Sequence, residues 1–276
     1  MSIEVRDTHQ LGIIGAGNMA EAITRGVLAA GLFRPEQLIA ADVVAARREL
    51  FERELKVRAV ENAADAARGA SRVLLSVKPQ QLAAALTEIG AVLAPSALVI
   101  SIAAGVGTAF IERTLGHGHD WRVVRTMPNT PMLVGQGMVA VAAGRNATAD
   151  DLADATRIFA AAASVISVEE DKLDAVTAMS GSGPAYFFYL VEQMVRAGVE
   201  LGLTPEQSIK LAAKTALGTA RMLEASTDSP QELRRKVTSP GGTTQAAITH
   251  MESAGVGPAI VEAIKAAHQR SRELGF

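Results

Sequence analysis

The sequence predicts an α/β protein: a doubly wound parallel sheet in residues 1–168, followed by a smaller all-helical domain in residues 169–276. Three observations carry this. Short, continuous apolar runs alternate with helix-like stretches over the first part of the chain. A glycine-rich turn directly follows the first of those runs. Beyond about Val168 no strand-like alternation occurs, and apolar residues repeat at helical spacing instead.

Leu11–Ile14 reads as a buried strand and Asn18–Ala30 as a helix of small residues closed by Gly31. Leu38–Ala41 is a second strand, followed by a charged amphipathic helix, Val44–Leu55. Val73–Val77 and Leu98–Ile102 make the third and fourth strands, and Val123–Val124 and Met138–Val141 supply two more. Strands apolar along their whole length need cover on both faces, which helical crossovers provide. Right-handed crossovers then give the doubly wound, Rossmann-type arrangement.

In the second part, Thr204, Pro205 and Gln207 form a capping box with proline at the first helical position. Pro184 opens another helix through Tyr186, Leu190 and Met194 to Val199, and Pro258 starts the last. These helices are apolar on more than one face, the Tyr186–Phe187–Phe188–Tyr189 cluster included. Such helices must be covered. A second copy of the chain is the predicted cover, which makes this an expected dimerisation domain and the protein an obligate homodimer.

Composition narrows the function classes. The chain has 276 residues, 49% hydrophobic, with a formal net charge of −2. That balance gives no case for a nucleic-acid partner, because no excess of Lys and Arg exists to neutralise phosphates. The absence of cysteine excludes disulfides, thiolate catalysis and cysteine-ligated metals, and fits a reducing cytoplasmic setting. Met1–Asp7 carries alternating charges without the apolar stretch of a signal peptide. Ile89–Ile111 lacks charge and has the length of a membrane span. Gly90, Pro95, Gly105 and Gly107 break it into a helix end, a turn, a strand and a loop, so no membrane partner is expected.

Gly15-Ala16-Gly17-Asn18-Met19-Ala20 follows the first strand and opens a helix. This is the G-x-G-x-x-A dinucleotide fingerprint. Its first glycine permits the tight turn, the second lets the backbone reach a pyrophosphate, and the small last residue allows close strand–helix packing. The helix N-terminus adds oriented N–H groups. Asp42, at the end of the second strand, is placed to accept from the adenosine ribose, which favours NADH over NADPH. Arg47 and Arg48 lie close behind and offset this, so the choice stays open.

A second cradle is legible in Ser239-Pro240-Gly241-Gly242-Thr243-Thr244, which leads into a helix, Gln245–Glu252. The paired glycines let successive backbone N–H groups converge on an oxygen anion, with the Thr244 hydroxyl beside them. The alternative is an ordinary Ser239 N-cap followed by proline. His117 and His119 lack a third ligand at useful spacing, so no metal is expected. His250 is read first as a helix-surface residue and second as a proton donor. Ser180 and Ser182 lack an activating partner and read as caps of the Pro184 helix.

Five stretches, in this order and spacing, carry a resemblance. They are Val77-Lys78-Pro79, Ser101–Val106, Arg125-Thr126-Met127-Pro128-Asn129-Thr130-Pro131, Met179–Tyr186 and Val237–Thr244. Together they closely resemble the pyrroline-5-carboxylate reductases, over essentially the chain from Leu11 onward. The resemblance implies reduction of 1-pyrroline-5-carboxylate to L-proline with NADPH or NADH. It implies cofactor contacts from Ile14, Gly15, Ala16, Gly17, Asn18, Met19, Asp42, Asn62, Ser76, Val77, Lys78, Pro79, Ala103 and Ala104. It implies a substrate loop of Ser239, Gly241, Gly242, Thr243 and Thr244, with Thr244 at the ring nitrogen as the catalytic position. Glu170 and Lys236 fall at secondary substrate-side positions. Position 42 departs from the serine of NADPH-preferring relatives. Homodimers, or rings of dimers, are the assemblies implied.

Hydride transfer to a protonated imine needs positioning more than acid–base machinery. A β-hydroxyacid dehydrogenase is the runner-up reading, disfavoured because the Pro184–Leu201 helix carries no lysine. A dinucleotide-sensing module without turnover is the non-enzymatic alternative, disfavoured by the intact Ser239–Thr244 loop.

Overall fold

The structure, a computed structural model, describes residues 9–275, so the charge pattern of Met1–Asp7 lies outside the described residues. The chain alternates strands and helices in the order β1 (Leu11–Ile14), α1 (Asn18–Ala29), β2 (Leu38–Ala41), α2 (Ala45–Glu54), β3 (Arg58–Val60), α3 (Ala63–Ala67), β4 (Arg72–Leu75), α4 (Pro79–Gly90), β5 (Leu98–Ser101) and α5 (Thr108–Leu115). Then follow β6 (Arg122–Pro128), β7 (Gly137–Ala143), α6 (Ala149–Ala160), β8 (Ala163–Ser167) and the short α7 (Leu173–Val176). These eight strands form one sheet in the order β3-β2-β1-β4-β5-β6-β7-β8.

Successive side chains of a strand point to opposite faces, and each face has its own core. Leu11, Ile13, Leu74, Ile100 and Val124 are buried on one face with Ile23 and Val27 of α1 and Ile158 and Phe159 of α6. Ile14, Val73, Leu75, Val99 and Val123 are buried on the other with Leu82 and Leu86 of α4 and Ile111 of α5. β1, β2, β4 and β5 are therefore covered on both faces, as their largely apolar character requires.

Three details differ from the sequence expectation. The sheet is not wholly parallel, because β6 and β7 pair antiparallel, with Thr126 opposite Val141. Only a 3₁₀ turn, Thr130–Val134, joins them, and a parallel return needs a crossover of a dozen or more residues. Two further strands, β3 and β8, complete the edges of the sheet. The strand expected at Val123–Val124 extends through Arg125–Pro128 as β6, which places Arg125 at a buried position in its middle.

By packing, the chain divides into two compact units. The first runs to Gly181 and also takes the residues from His268 onward, and the second is Ser182–Ala267. The second consists of α8 (Gly183–Glu200), α9 (Pro205–Ala225), α10 (Pro230–Lys236), α11 (Thr243–Ser253) and most of α12 (Val256–Leu274). The Thr204 capping box forms as predicted: the Gln207 N–H donates to the Thr204 hydroxyl at 3.2 Å, and the Thr204 N–H donates to Gln207 Oε1 at 2.9 Å. The last helix begins at Val256, two residues before the expected Pro258. Three of the four aromatics on α8 lie exposed on this unit: Phe187 at 65%, Phe188 at 71% and Tyr189 at 66%. No helix among the described residues is long and apolar enough to cross a membrane.

Candidate active site

The loop after β1 is built as its sequence requires. Gly15 has φ +93°, and a Cβ there would fall 2.7 Å from the Ser76 carbonyl oxygen and 2.9 Å from Val77 Cγ1. Only glycine satisfies both demands. The same contact brings Ser76 and Val77, at the end of β4, against the loop. At Gly17 a Cβ would meet nothing within 4 Å, so that side of the loop is open. Ala16 and Ala20 are fully buried, which lets α1 lie close on the sheet. The first α1 bond runs from the Glu21 N–H to the Gly17 carbonyl. The N–H groups of Asn18, Met19 and Ala20 thus precede the helical ladder and suit a pyrophosphate.

The other expected cofactor residues lie along the same edge of the sheet. Asp42 follows β2, Asn62 precedes α3, Lys78 and Pro79 open α4, and Ala103 and Ala104 follow β5. Order reverses between β1 and β4, and open α/β sheets take their ligands at such a switch point. The donors, the open glycine and the location fit a dinucleotide.

Asp42 does more here than the sequence suggests. Its Oδ2 accepts the Ala16 N–H at 2.8 Å and its Oδ1 accepts the Val44 N–H at 2.9 Å. Arg47 donates to the Ala16 carbonyl and, at 2.9 Å, to Glu21. Arg48 donates to the Asp42 and Val43 carbonyls. Arg47 thus braces the glycine loop, and Arg48 the turn that follows β2. Burial alone raises the Glu21 pKa, but the hydrogen bonds from Arg47 and Arg25 outweigh it and hold Glu21 below its ordinary value.

The Ser239–Thr244 loop lies in the second unit, between α10 and α11. Its geometry corrects the expected roles. The Gly242 N–H donates to the Ser239 carbonyl at 3.0 Å, and the Gly241 N–H donates to Gln245 Oε1. Those two donors hold the turn rather than facing outward. Gly241 has φ +69°, and Gly242, not Ser239, is the N-cap of α11. The first α11 bond runs from Ala246 to Gly242, so the free helical N–H positions are those of Thr243, Thr244 and Gln245. Lys236 is paired with Asp228, and His250 lies on an exposed face of α11.

Glu170 belongs to the first unit, where its carboxylate is spoken for. It accepts the Thr108 N–H and hydroxyl, each at 2.7 Å, and lies 3.7 Å from Arg125. Ser180 and Ser182 do not act as expected either. Ser182 occupies the N-cap position of α8 without a side-chain cap bond. Ser180 sits in a π-helical turn, Thr177–Gly181, and accepts from Asn129 Nδ2 at 3.1 Å. Asn129 Oδ1 in turn accepts the Met138 N–H. His119 stacks edge-on to Trp121, and among the described residues no three His, Asp or Glu side chains gather to hold a metal.

Sequence reasoning passed over Arg125, Asn129 and Asp174 as individual residues. Arg125 carried the one available signal, a charged side chain inside an apolar strand.

Comparison with known proteins agrees with this arrangement. Residues 170–274 match the family model "Pyrroline-5-carboxylate reductase dimerisation", and residues 10–105 match "NADP oxidoreductase coenzyme F420-dependent". The chain is 42% identical to a pyrroline-5-carboxylate reductase of Synechocystis over 266 residues, 96% of this chain and 98% of that one. A solved pyrroline-5-carboxylate reductase from Coxiella burnetii is 37% identical, with a TM-score of 0.89 over 98% of this chain and 99% of that one. A Plasmodium falciparum pyrroline carboxylate reductase, solved with NADP bound, is 28% identical, with a TM-score of 0.86 over 98% and 99%. With relatives of this identity spanning nearly its whole length, the chain belongs to the pyrroline-5-carboxylate reductase family.

Proposed function

We propose that the protein reduces 1-pyrroline-5-carboxylate to L-proline with NADPH or NADH, the last step of proline formation. The observation that carries this is the pair of donor sets: the glycine loop at the switch point of the sheet, and the α11 N-terminus beside Thr244. Residues Gly15–Met19 hold the pyrophosphate, Asp42 the ribose side, and Ser76–Pro79, Ala103 and Ala104 the nicotinamide side. When bound, the reduced nicotinamide supplies the hydride.

The chain's own groups do the rest. The Thr243, Thr244 and Gln245 N–H groups hold the ring carboxylate, and Ser239, Gly241 and Gly242 shape the turn that aims them. The Thr244 hydroxyl holds the ring nitrogen and accompanies its proton. A protonated imine is already activated, so orientation and exclusion of water account for most of the task. Glu170 acts by shaping the loop before α5 rather than by touching the ring.

Residues 169–276 serve as the substrate and dimerisation domain, and self-association follows from the family model for that region. The bare α8 aromatics supply the apolar cover that two copies share, and assembly into rings of dimers is the larger form. Cysteine-free composition supports a cytoplasmic enzyme.

The test is consumption of NADH and of NADPH on addition of pyrroline-5-carboxylate. Turnover with at least one cofactor is expected, and no turnover with either leaves only dinucleotide binding.

A further inference from the structure

The end of the chain returns to the first unit and reaches the loop that follows β5. Ser271, on the last turns of α12, is 5% exposed, and its hydroxyl donates to Asp174 Oδ1 at 2.8 Å. Asp174 also faces Arg125, whose Nη2 lies 3.5 Å from the same oxygen. The other arm of that guanidinium lies 3.7 Å from Glu170, and Glu170 holds both the N–H and the hydroxyl of Thr108. Thr108 is the first residue of α5 and ends the turn that contains Ala103 and Ala104. One buried cation thus links the end of the chain to one end of that turn.

A second contact is independent of this charge relay. Gly105, in the middle of the turn, has φ +75°, and a Cβ on it would lie 3.3 Å from the Gly275 nitrogen and the Ser271 carbonyl oxygen. Conversely, a Cβ on Gly275 would fall 2.8 Å from the Gly105 carbonyl oxygen, closer than real Cβ atoms approach backbone. The two backbones are in contact because both residues are glycine.

We infer that the C-terminal turn of α12 is the positioning element of the Ala103–Gly107 loop, with Ser271 and Gly275 as positioning residues that set how tightly the dinucleotide binds. The inference rests on the assignment of Ala103 and Ala104 to the cofactor. The loop is held at Thr108 through Glu170 and at Gly105 by the helix end. Loosening either hold lets the backbone that meets the nicotinamide side sample other positions, and the dinucleotide must then select the right one. Neither residue touches the reacting atoms. Arg125 itself is a poor probe, because removing it strands two carboxylates and threatens the fold.

The test uses the full chain with three substitutions, Gly275→Ala, Ser271→Ala and Ser271→Thr. Dinucleotide Kd, the KM for the imine, and the melting temperature are measured for each. Gly275→Ala and Ser271→Ala are expected to raise dinucleotide Kd about five- to tenfold, a common size for coupling through packed contacts. The KM for the imine should change less than about twofold, and Ser271→Thr, which keeps the hydroxyl, should restore Kd. A lower melting temperature with unchanged Kd overturns the inference, and so does an equal rise in Kd and imine KM. Amide hydrogen exchange on the unsubstituted enzyme separates the two layers. Residues 103–107 should gain protection when NADH or NADPH is added. Without that protection the assignment of Ala103 and Ala104 fails, and the inference with it. With that protection, unchanged affinity in Gly275→Ala and Ser271→Ala sinks the inference alone.

Discussion

Asp42 Oδ2 accepts the backbone N–H of Ala16 at 2.8 Å, joining the end of β2 to the middle of the glycine loop. The carboxylate thus fixes the loop, and in the proposed reading it also faces the ribose. Asp42→Ser removes a negative charge that repels a 2′-phosphate and keeps one short acceptor. The ratio of kcat/KM for NADPH over NADH should rise about tenfold, on the order of 1.4 kcal/mol. Parallel kinetics with the two cofactors check this, and an unchanged ratio removes Asp42 from cofactor choice.

Thr244 stands in the first turn of α11 with its N–H ahead of the helical ladder. Thr244→Ala keeps that N–H and loses only the hydroxyl. Turnover on the imine should fall about 5- to 30-fold, the loss of about one or two kcal/mol at a polar contact, while dinucleotide Kd stays within about twofold. Steady-state rates with a separate binding titration decide it; full turnover excludes the hydroxyl from the reaction.

Glu112, on α5, has Oε1 buried without a hydrogen-bond partner. Burial, and then the charge of Glu170, raise its pKa above the ordinary 4.5, against an opposing pull from Arg145. A carboxyl with a raised folded pKa binds protons more tightly folded than unfolded. Its effect therefore favours the folded state at low pH and is lost as pH rises through the raised value. Glu112→Gln removes the ionised penalty and keeps an acceptor for the Arg145 N–H. Its melting temperature should exceed that of the unsubstituted protein by about one or two degrees near pH 7, with the gap closing below about pH 4. Thermal unfolding across pH measures it, and a lower melting temperature at neutral pH contradicts it.

Lys56 follows α2 in the left-handed region at φ 59°, the one non-glycine residue there among those described. That conformation costs an L side chain roughly 1–2 kcal/mol, and the added unfolded-state freedom of glycine takes back about half. Lys56→Gly should therefore stabilise by about 0.5 kcal/mol, read by urea denaturation.

Phe187 and Phe188 are more than half exposed on α8. If the proposed dimer covers them, two carboxylates there would be buried without partners. Phe187→Asp with Phe188→Asp should yield monomer in sedimentation velocity, and a persistent dimer would place the contact elsewhere.

The glycine loop and the central strands were legible because their signals are local: Gly15 and Ala20 sit at fixed offsets from an apolar run. Arg58–Val60 was not, being three residues with one exposed arginine, and neither was Ala163–Ser167, whose two serines and partial exposure mark a sheet edge. An apolar run does not encode its direction, so the reversal of β7 lay in the shortness of the Asn129–Gln136 connection. At the Ser239–Thr244 loop, the paired glycines signalled a cradle, but which N–H groups face outward depended on the Gln245 side chain closing back on Gly241. The Asp174–Ser271 bond joins residues 97 positions apart, a separation over which no spacing rule operates.

The return of residues from His268 to the first unit means that the peptide chain crosses between the units twice. Expressing the sheet portion alone, cut after Gly181, would strip the cover from Gly105 and leave Asp174 without its hydroxyl donor. Chimeras that exchange the helical portion between relatives therefore require two splice junctions, the second just before His268, with each sheet portion keeping its native tail.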